Sequence, residues 1–201
     1  MRPTDILSNE HRVIELVLNC LEKMIEQCQS ENKLDEKSAK DAVAFFRNFA
    51  DRCHHGKEEA HFFPAMEARG FPRDGGPTGV MIYEHEQGRN FIRSMDEAIE
   101  TAGNGDLAAQ GKFVRNARGY INLLREHIQK EDHCLFAMAN SALTEQDQEN
   151  LLAVFEKVEA EEMGEGVHEK YLNIAHDLAK RYGIPSAEFE KVVGHGCGCG
   201  H

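Results

Sequence analysis

Hydrophobic residues recur along the first part of the chain at alternating steps of four and three. From Leu7 the positions 7, 11, 14, 18, 21, 25 and 28 carry Leu, His, Ile, Leu, Leu, Ile and Cys. This spacing is typical of one face of an amphipathic helix. Since His11 belongs to that face, the pattern predicts a first helix with an imidazole on its buried side.

A second helix is predicted from about Ser38 to the neighbourhood of Pro64. Its apolar face leads to His54 and Glu58, which are one helical turn apart and therefore point the same way. Pro64 should kink or end this helix, because proline lacks the backbone donor and crowds the preceding turn.

The second half of the chain repeats this design after the loop GFPRDGGPTG, residues 70 to 79. Positions 81, 85, 88, 92, 95 and 99 form the stripe of a third helix, in which His85 takes the place of His11. The segment AGNGD, residues 102 to 106, closes that helix. A fourth helix, from about Leu107 to Ala139, presents His127 and Glu131 on one face.

An internal repeat connects the second and fourth helices. HHGKEEAHFFPAM, residues 54 to 66, returns as HIQKEDHCLFAMA, residues 127 to 139. The chain is therefore predicted to be all-α, with four amphipathic helices in two similar halves. Two additional C-terminal helices are predicted, one from a capping box at Thr144 to Val158 and one over about residues 167 to 182.

Composition and charge narrow the possible partners. The 201 residues are 41% hydrophobic and 29% charged, without Trp, a balance that fits a helical globular protein. The net charge of -12 disfavours nucleic acid and anionic membranes as partners. No signal peptide and no long apolar run is evident, so we expect a cytoplasmic protein. Four cysteines within helical patterns are expected to be reduced and buried: Cys20, Cys28, Cys53 and Cys134.

The predicted buried faces carry an unusual set of polar residues. A single histidine on an apolar stripe is usually a satisfied core residue. Here the spacings would bring two histidine pairs to a similar depth in an up-down bundle, together with two glutamates. Burying so many polar groups is costly unless a cation compensates them. The candidate metal ligands are His11, His54, Glu58, His85, His127 and Glu131.

This ligand set favours two first-row metal ions. Six mixed ligands are too many for one tetrahedral zinc and too rich in nitrogen for calcium or magnesium. Two ions fit if each has two histidines and if Glu58 and Glu131 bridge them. Iron suits the set, and manganese or zinc are alternatives.

The motifs resemble the bacterial hemerythrin-like HHE cation-binding family. The resemblance covers about residues 5 to 140 and rests on EHRVIE, HHGKEEAHFFPAM, YEHEQGR and HIQKEDHCLF. It implies an up-down four-helix bundle of the hemerythrin type around a non-haem di-iron centre, with carboxylate and oxo or hydroxo bridges and the six ligands above. The expected function is binding of, or reaction with, dioxygen, nitric oxide or peroxide, for sensing, storage or detoxification.

One position departs from the family pattern. Hemerythrins that carry oxygen have two histidines one turn apart on the third helix, but Arg89 stands four residues after His85. One imidazole is missing, so the site should be more open, as in iron–sulfur cluster repair proteins. Those proteins carry a Cys-containing segment ahead of the bundle, whereas the first cysteine here is Cys20. Cluster repair, iron storage or transfer, and di-iron oxidase or peroxidase activity remain alternatives, and a reductase or iron–sulfur protein partner is left open.

Several neighbouring residues have two interpretations. His55 lies about 100° around an α-helix from His54 and is expected at the surface or as a second-choice ligand. His61 is expected in the core or lining a pocket, with metal binding as the alternative. Tyr120 either fills the bundle or donates a hydrogen bond to a bound ligand. Glu59 and Asp132 are expected to pair with His55, at the surface or behind the metal ligands.

The C-terminus ends in GHGCGCGH, which either binds a metal, acts in thiol redox exchange, or is disordered. The residues that would serve the first two roles are His195, Cys197, Cys199 and His201. The chain is thus divided into a bundle over residues 1–140, a helical extension packed on it over 141–185, and a short helix with this tail over 186–201.

Overall fold

The computed structural model describes residues 1–158 and 166–185. Over these ranges the chain is helical and contains no strand, which confirms the all-α prediction. The first segment is α1, Pro3–Glu31. The second consists of α2, Glu36–Phe45, two wide π-helical segments, Phe46–His55 and Glu58–Phe62, and α3, Phe63–Ala68.

The third and fourth segments and the extension follow the predicted order. The third is α4, Pro77–Gly103. The fourth consists of α5, Leu107–Lys130, a π-helical segment, Glu131–Leu135, and α6, Phe136–Ala142. The extension contains α7, Glu145–Lys157, and α8, Val167–Tyr182.

Local sequence accounts for several helix ends. The side chain of Asp35 accepts a hydrogen bond at the start of α2, and Asp106 does the same for α5. Thr144 and Asp147 form the predicted capping box of α7. Gly183, at φ 66°, ends α8 in the left-handed conformation that glycine adopts without strain.

The helix through Pro64 continues to Ala68. The alternative that this proline ends the second helix is therefore wrong. Pro64 stands in the first turn of α3, directly after a π-helical segment, where the preceding backbone bond runs from the Phe63 N–H to the Glu58 carbonyl. A missing donor is tolerated at the start of a helical turn.

Two apolar clusters fill the interior. In each of the four long segments buried His or Glu residues fall, along the sequence, between residues of the two clusters, although His127 itself lies between Leu124 and Ile128 of the larger one. The larger cluster includes residues of α8, such as Tyr171 and Leu178. The smaller one includes Leu151 and Phe155 of α7, packed with Phe62, Phe63 and Phe136. The fold thus encloses a polar layer between two apolar ones.

Other expectations have mixed outcomes. Cys20, Cys28 and Cys53 are buried, but Cys134 is exposed, so its predicted burial is wrong. In the described ranges no helix is long and apolar enough to cross a membrane. The division into three parts stays a prediction, and the tail with its four Cys and His residues lies outside the described residues.

Candidate metal centre

The buried histidines meet as two close pairs. The Nε2 atoms of His11, on α1, and His54, in the first π-helical segment, are 3.0 Å apart. Those of His85, on α4, and His127, on α5, are 3.1 Å apart. All four residues are at most 1% exposed. These are the two pairs that the sequence spacing predicts.

Glu58 lies between the two pairs. One carboxylate oxygen, Oε1, is 3.7 Å from His54 Nε2, and the other, Oε2, is 3.5 Å from His85 Nε2. Neither oxygen has a hydrogen-bond partner among the described residues. Burial, together with the charge of Glu131, raises the pKa of Glu58 well above its usual value. A cation shared by both pairs would satisfy these oxygens.

Glu131 also faces both pairs, through a single oxygen. Its Oε2 lies 3.2 Å from His11 Nε2 and 3.3 Å from His127 Nε2. The geometry of these approaches is not that of a hydrogen bond, and both of its oxygens lack a partner in the described part of the chain. Although burial opposes its ionisation, the neighbouring His127 and His11 hold the pKa of Glu131 well below its usual value.

A carboxylate fixes the far side of each histidine ring. Each Nδ1 atom lies 2.7 to 2.9 Å from a carboxylate oxygen of a different helical segment. The pairs are His11 with Asp132, His54 with Glu10, His85 with Glu59, and His127 with Glu84. Each carboxylate also contacts a cation, in the order Arg12, Lys57, Arg89 and Lys130. Such carboxylates are the usual support of metal-binding histidines.

This support determines which ring nitrogen faces the centre. A neutral histidine that donates its Nδ1–H to a carboxylate has only a lone pair at Nε2. Two such lone pairs about 3.0 Å apart repel each other, so that each pair needs a proton or a metal ion between its members.

The two members of each histidine pair have pKa values shifted in opposite directions. Burial lowers the pKa of His54 to about 4 and that of His85 well below its usual value. Burial also opposes protonation of His11 and His127, but the carboxylates around them prevail, and the pKa of His127 rises to about 9. Within each pair the shifts thus favour the proton on one ring, His11 or His127, over the other, and a bound metal ion would compete with that proton.

The separations suit metal ligation. Two nitrogen donors about 2.1 Å from one ion and at right angles to each other lie about 3.0 Å apart. The observed 3.0 and 3.1 Å separations have this value. Imidazole and carboxylate donors in a water-poor layer are the ligands of first-row transition metals. The residues present therefore fit a metal centre.

The donor atoms fall into two groups, within each of which all atoms lie within 4.8 Å of one another. One group contains His11, His54, Glu58 and Glu131, and the other contains His55, Glu58, His85 and His127. The six predicted ligands are thus together, and their binding of metal stays a prediction. The grouping adds His55, which sequence reasoning placed second to His54 or at the surface.

His55 is buried, at 4% exposure, so its placement at the surface is wrong. The prediction assumed 100° per residue, but Phe46–His55 is π-helical, and its wider turn separates consecutive side chains by a smaller angle. Both His54 and His55 can then face the interior. The doublet HH was the signal in the sequence, and only the type of helix gives it this meaning.

The other neighbouring residues also have defined positions. Glu59 and Asp132 contact His85 and His11, so they lie behind two of the predicted ligands, as one of the two expectations had it, but their predicted pairing with His55 is wrong. His61 is partly exposed and belongs to neither group. Tyr120 is buried against Phe46, with ring centroids 4.9 Å apart.

A cavity of about 240 Å³ reaches the second group. His55, His85 and His127 form part of its wall, and Asp51 and Arg89 lie beside them. Its apolar wall consists of Phe46, Ile92, Tyr120, Leu123 and Leu124. Since one water molecule occupies about 30 Å³ in the liquid, the cavity is large enough for a small ligand.

Comparison with known proteins agrees with this geometry. The model of the hemerythrin HHE cation-binding domain matches residues 2–139. The chain belongs to this family. The match spans the four long helical segments that carry both groups, and it confirms the resemblance seen in the sequence. Neither a curated protein nor a solved structure matches the chain.

The hemerythrin family assignment indicates that the two groups of donor atoms bind cations. A cation-binding domain that contains two buried clusters of His and Glu is a metal-binding protein. In this hemerythrin-family chain the clusters lie at the level where all four long segments meet.

Proposed function

We propose that the protein holds a non-haem di-iron centre, which binds or reacts with a small ligand such as dioxygen, nitric oxide or peroxide. His11 and His54 would hold one ion and His85 and His127 the other, with Glu58 and Glu131 shared between them. The observation that carries this proposal is the arrangement of two histidine pairs around one carboxylate. Within each pair the two Nε2 atoms face each other, and the carboxylate of Glu58 between the pairs has no hydrogen-bond partner among the described residues.

The residues around the centre have separate tasks. The carboxylates on the Nδ1 atoms fix the ring orientation and make each imidazole a better donor. The apolar clusters on both sides exclude water, which strengthens the electrostatic interactions within the layer. The cavity beside His85 and His127 gives a small ligand a way to that side of the centre. Iron, when bound, would supply reversible one-electron steps and a coordination position for the ligand.

Metal analysis of protein purified under nitrogen tests this proposal. We expect about two irons per chain by mass spectrometry, and a change in the near-ultraviolet spectrum on exposure to air. His127→Ala should lose iron, whereas His133→Ala, at an exposed position in the same segment, should retain it. Protein from iron-replete cells with zinc or no metal, and without a spectral change after reconstitution with iron, would contradict the proposal.

The same preparation separates the alternatives. Rapid loss of iron to a chelator, without any response to dioxygen, nitric oxide or peroxide, would favour iron storage or transfer. Repeated consumption of peroxide with an added reductant would favour an oxidase or peroxidase. Stoichiometric formation of a ligand adduct, without turnover, is the result that the proposed binding function predicts.

A further inference from the structure

We infer that His55 is a seventh metal ligand, which completes the half of the centre formed by His85 and His127. The inference rests on the proposed di-iron function and adds a residue to it. A buried imidazole normally uses both ring nitrogens for hydrogen bonds. His55 is 4% exposed, and no described residue forms a hydrogen bond with its Nε2 atom. Like both carboxylate oxygens of Glu58, this nitrogen is buried without a hydrogen-bond partner among the described residues.

His55 has a carboxylate on its Nδ1 side, as the other histidine ligands do. Its Nδ1 atom faces Asp51 Oδ1 at 3.4 Å, which favours the tautomer with a lone pair at Nε2. The His55 ring stacks on that of His85, with centroids 3.7 Å apart and planes 13° apart. The two rings are therefore neighbours, and because lone pairs in nearly parallel rings run parallel, the His55 ring must turn out of this stack for both nitrogens to bind one ion. Donor atoms of His55, His85, His127 and Glu58 lie within 4.8 Å of one another, close enough for one ion.

Arg89 supports this arrangement from behind. Its guanidinium donates to Asp51 over 2.9 Å and to Glu59 over 2.7 Å. These are the carboxylates that contact the Nδ1 atoms of His55 and His85. One arginine thus fixes the acceptors of two adjacent stacked rings, and we assign it a positioning role.

The internal repeat shows that His55 serves one half of the centre. His54 corresponds to His127 in the repeat, and the residue that corresponds to His55 is the buried Ile128. The group of His11 and His54 has no third histidine, but it includes both glutamates. With His55, each group contains four donor residues: three His and one Glu in one, and two His and two Glu in the other.

Chelator competition on the metal-loaded full-length protein tests the inference. We compare the unaltered protein with His55→Gln and with His55→Ile, the residue that the repeat carries at this position. His61→Gln is the matched control, since His61 follows closely in the chain and belongs to neither group. The readouts are ions per chain and the chelator concentration at which each ion is lost. Circular dichroism confirms that the variants remain helical.

We expect two ions in the unaltered protein and in His61→Gln. In both His55 variants one ion should be retained as in the unaltered protein. The other should be lost at a chelator concentration at least about 10-fold lower than the unaltered protein requires. The reason is that mutation of residues that only support the ligands already changes metal affinity about 10- to 100-fold. Two ions retained in the His55 variants within a factor of about two of the unaltered protein would overturn the inference alone. Fewer than two ions in the unaltered protein would overturn the di-iron function and the seventh ligand with it.

A measurement on the unaltered protein covers the case in which the variants do not fold. Protein containing ¹⁵N-histidine is loaded with zinc, and nitrogen resonances in the metal-bound range are counted. Five metal-bound Nε2 atoms are expected within the bundle if His55 is a ligand. Four would refute its participation.

Discussion

Lys57→Met should destabilise the metal-free protein strongly, because it leaves a buried carboxylate without its cation. The Lys57 side chain is fully buried and donates to Glu10, which is itself 6% exposed. Glu10 also accepts a hydrogen bond from His54 Nδ1 over 2.8 Å. Burial alone would raise the pKa of Glu10, but the charge of Lys57 lowers it to about 2. The carboxylate is therefore ionised in the folded state.

The structure contains a matched control in its second half. Lys130 donates to Glu84, which contacts His127 in the way that Glu10 contacts His54. The Lys130 side chain, however, is 42% exposed. Water can therefore replace it around the carboxylate. Lys130→Met removes the same charge with nearly the same change in side-chain shape.

The expected effects differ by several kcal/mol. Removing one partner of a buried ion pair costs about 3–5 kcal/mol, whereas an exposed pair contributes about 0.2–1 kcal/mol. For a chain of this size 1 kcal/mol corresponds to about 2–4 °C in Tm. Lys57→Met should therefore lower Tm by about 6–20 °C, and Lys130→Met by less than about 4 °C. Thermal and urea unfolding of chelator-treated protein at pH 7 measure both values.

A double variant separates charge from packing. Glu10→Gln combined with Lys57→Met removes both charges, and its glutamine oxygen can still accept from His54. We expect it to be more stable than Lys57→Met alone, because no unpaired charge remains. The Lys57 ammonium also lies 5.6 Å from the centre of the Phe155 ring. A double variant less stable than the single one, or equal effects at Lys57 and Lys130, would show that this packing dominates and would refute the charge argument.

Four further expectations concern the scaffold. Thr144→Ala should destabilise the protein by about 0.5–2 kcal/mol through loss of the α7 cap, measured by urea unfolding. The hydrogen bonds from Arg69 depress the pKa of Asp147 below its ordinary value of 3.8. The contribution of Asp147 to the free energy of unfolding is therefore fully present above pH 3.8 and is lost as pH falls through the folded pKa. The difference in urea midpoint between wild type and Asp147→Asn should thus be smaller at pH 3 than at pH 7. Iodoacetamide should modify the exposed Cys134 much faster than Cys20, whose pKa burial raises to about 12, as peptide mass spectrometry would show. Gly119→Ala would place a methyl group 2.6 Å from an aromatic ring of α4 and should cost about 1–3 kcal/mol in the same unfolding assay.

The helices could be predicted because one local signal repeats along the chain. Apolar steps of three and four define the faces of α1 and α4, and glycine, proline and capping residues mark the ends. The pairing of His11 with His54 and of His85 with His127 followed from nearly equal separations along the chain. These features depend on local geometry, which periodicity reports directly.

Spacing could not predict which histidine each supporting carboxylate contacts, because each acts on a different helical segment. Glu10 precedes His11 in the chain but contacts His54, and Asp132 follows Glu131 but contacts His11. Adjacent polar doublets were visible in the sequence. Which member faces the centre, and which neighbour the other supports, depends on how the helices are rotated in the bundle. For His55 it also depends on a π-helical segment, which single-sequence periodicity does not reveal.

The two halves of the centre are similar in their ligands but differ in what covers them. Around His54 the supporting pair of Lys57 and Glu10 is sealed beneath Phe155 of α7. Around His127 the equivalent pair is partly exposed, and the cavity lies beside it. A small ligand can approach only where the polar layer is open, so we expect it to react on the side of His85 and His127. Because α7 covers the opposite side, the C-terminal extension would determine from which side the ligand approaches the centre.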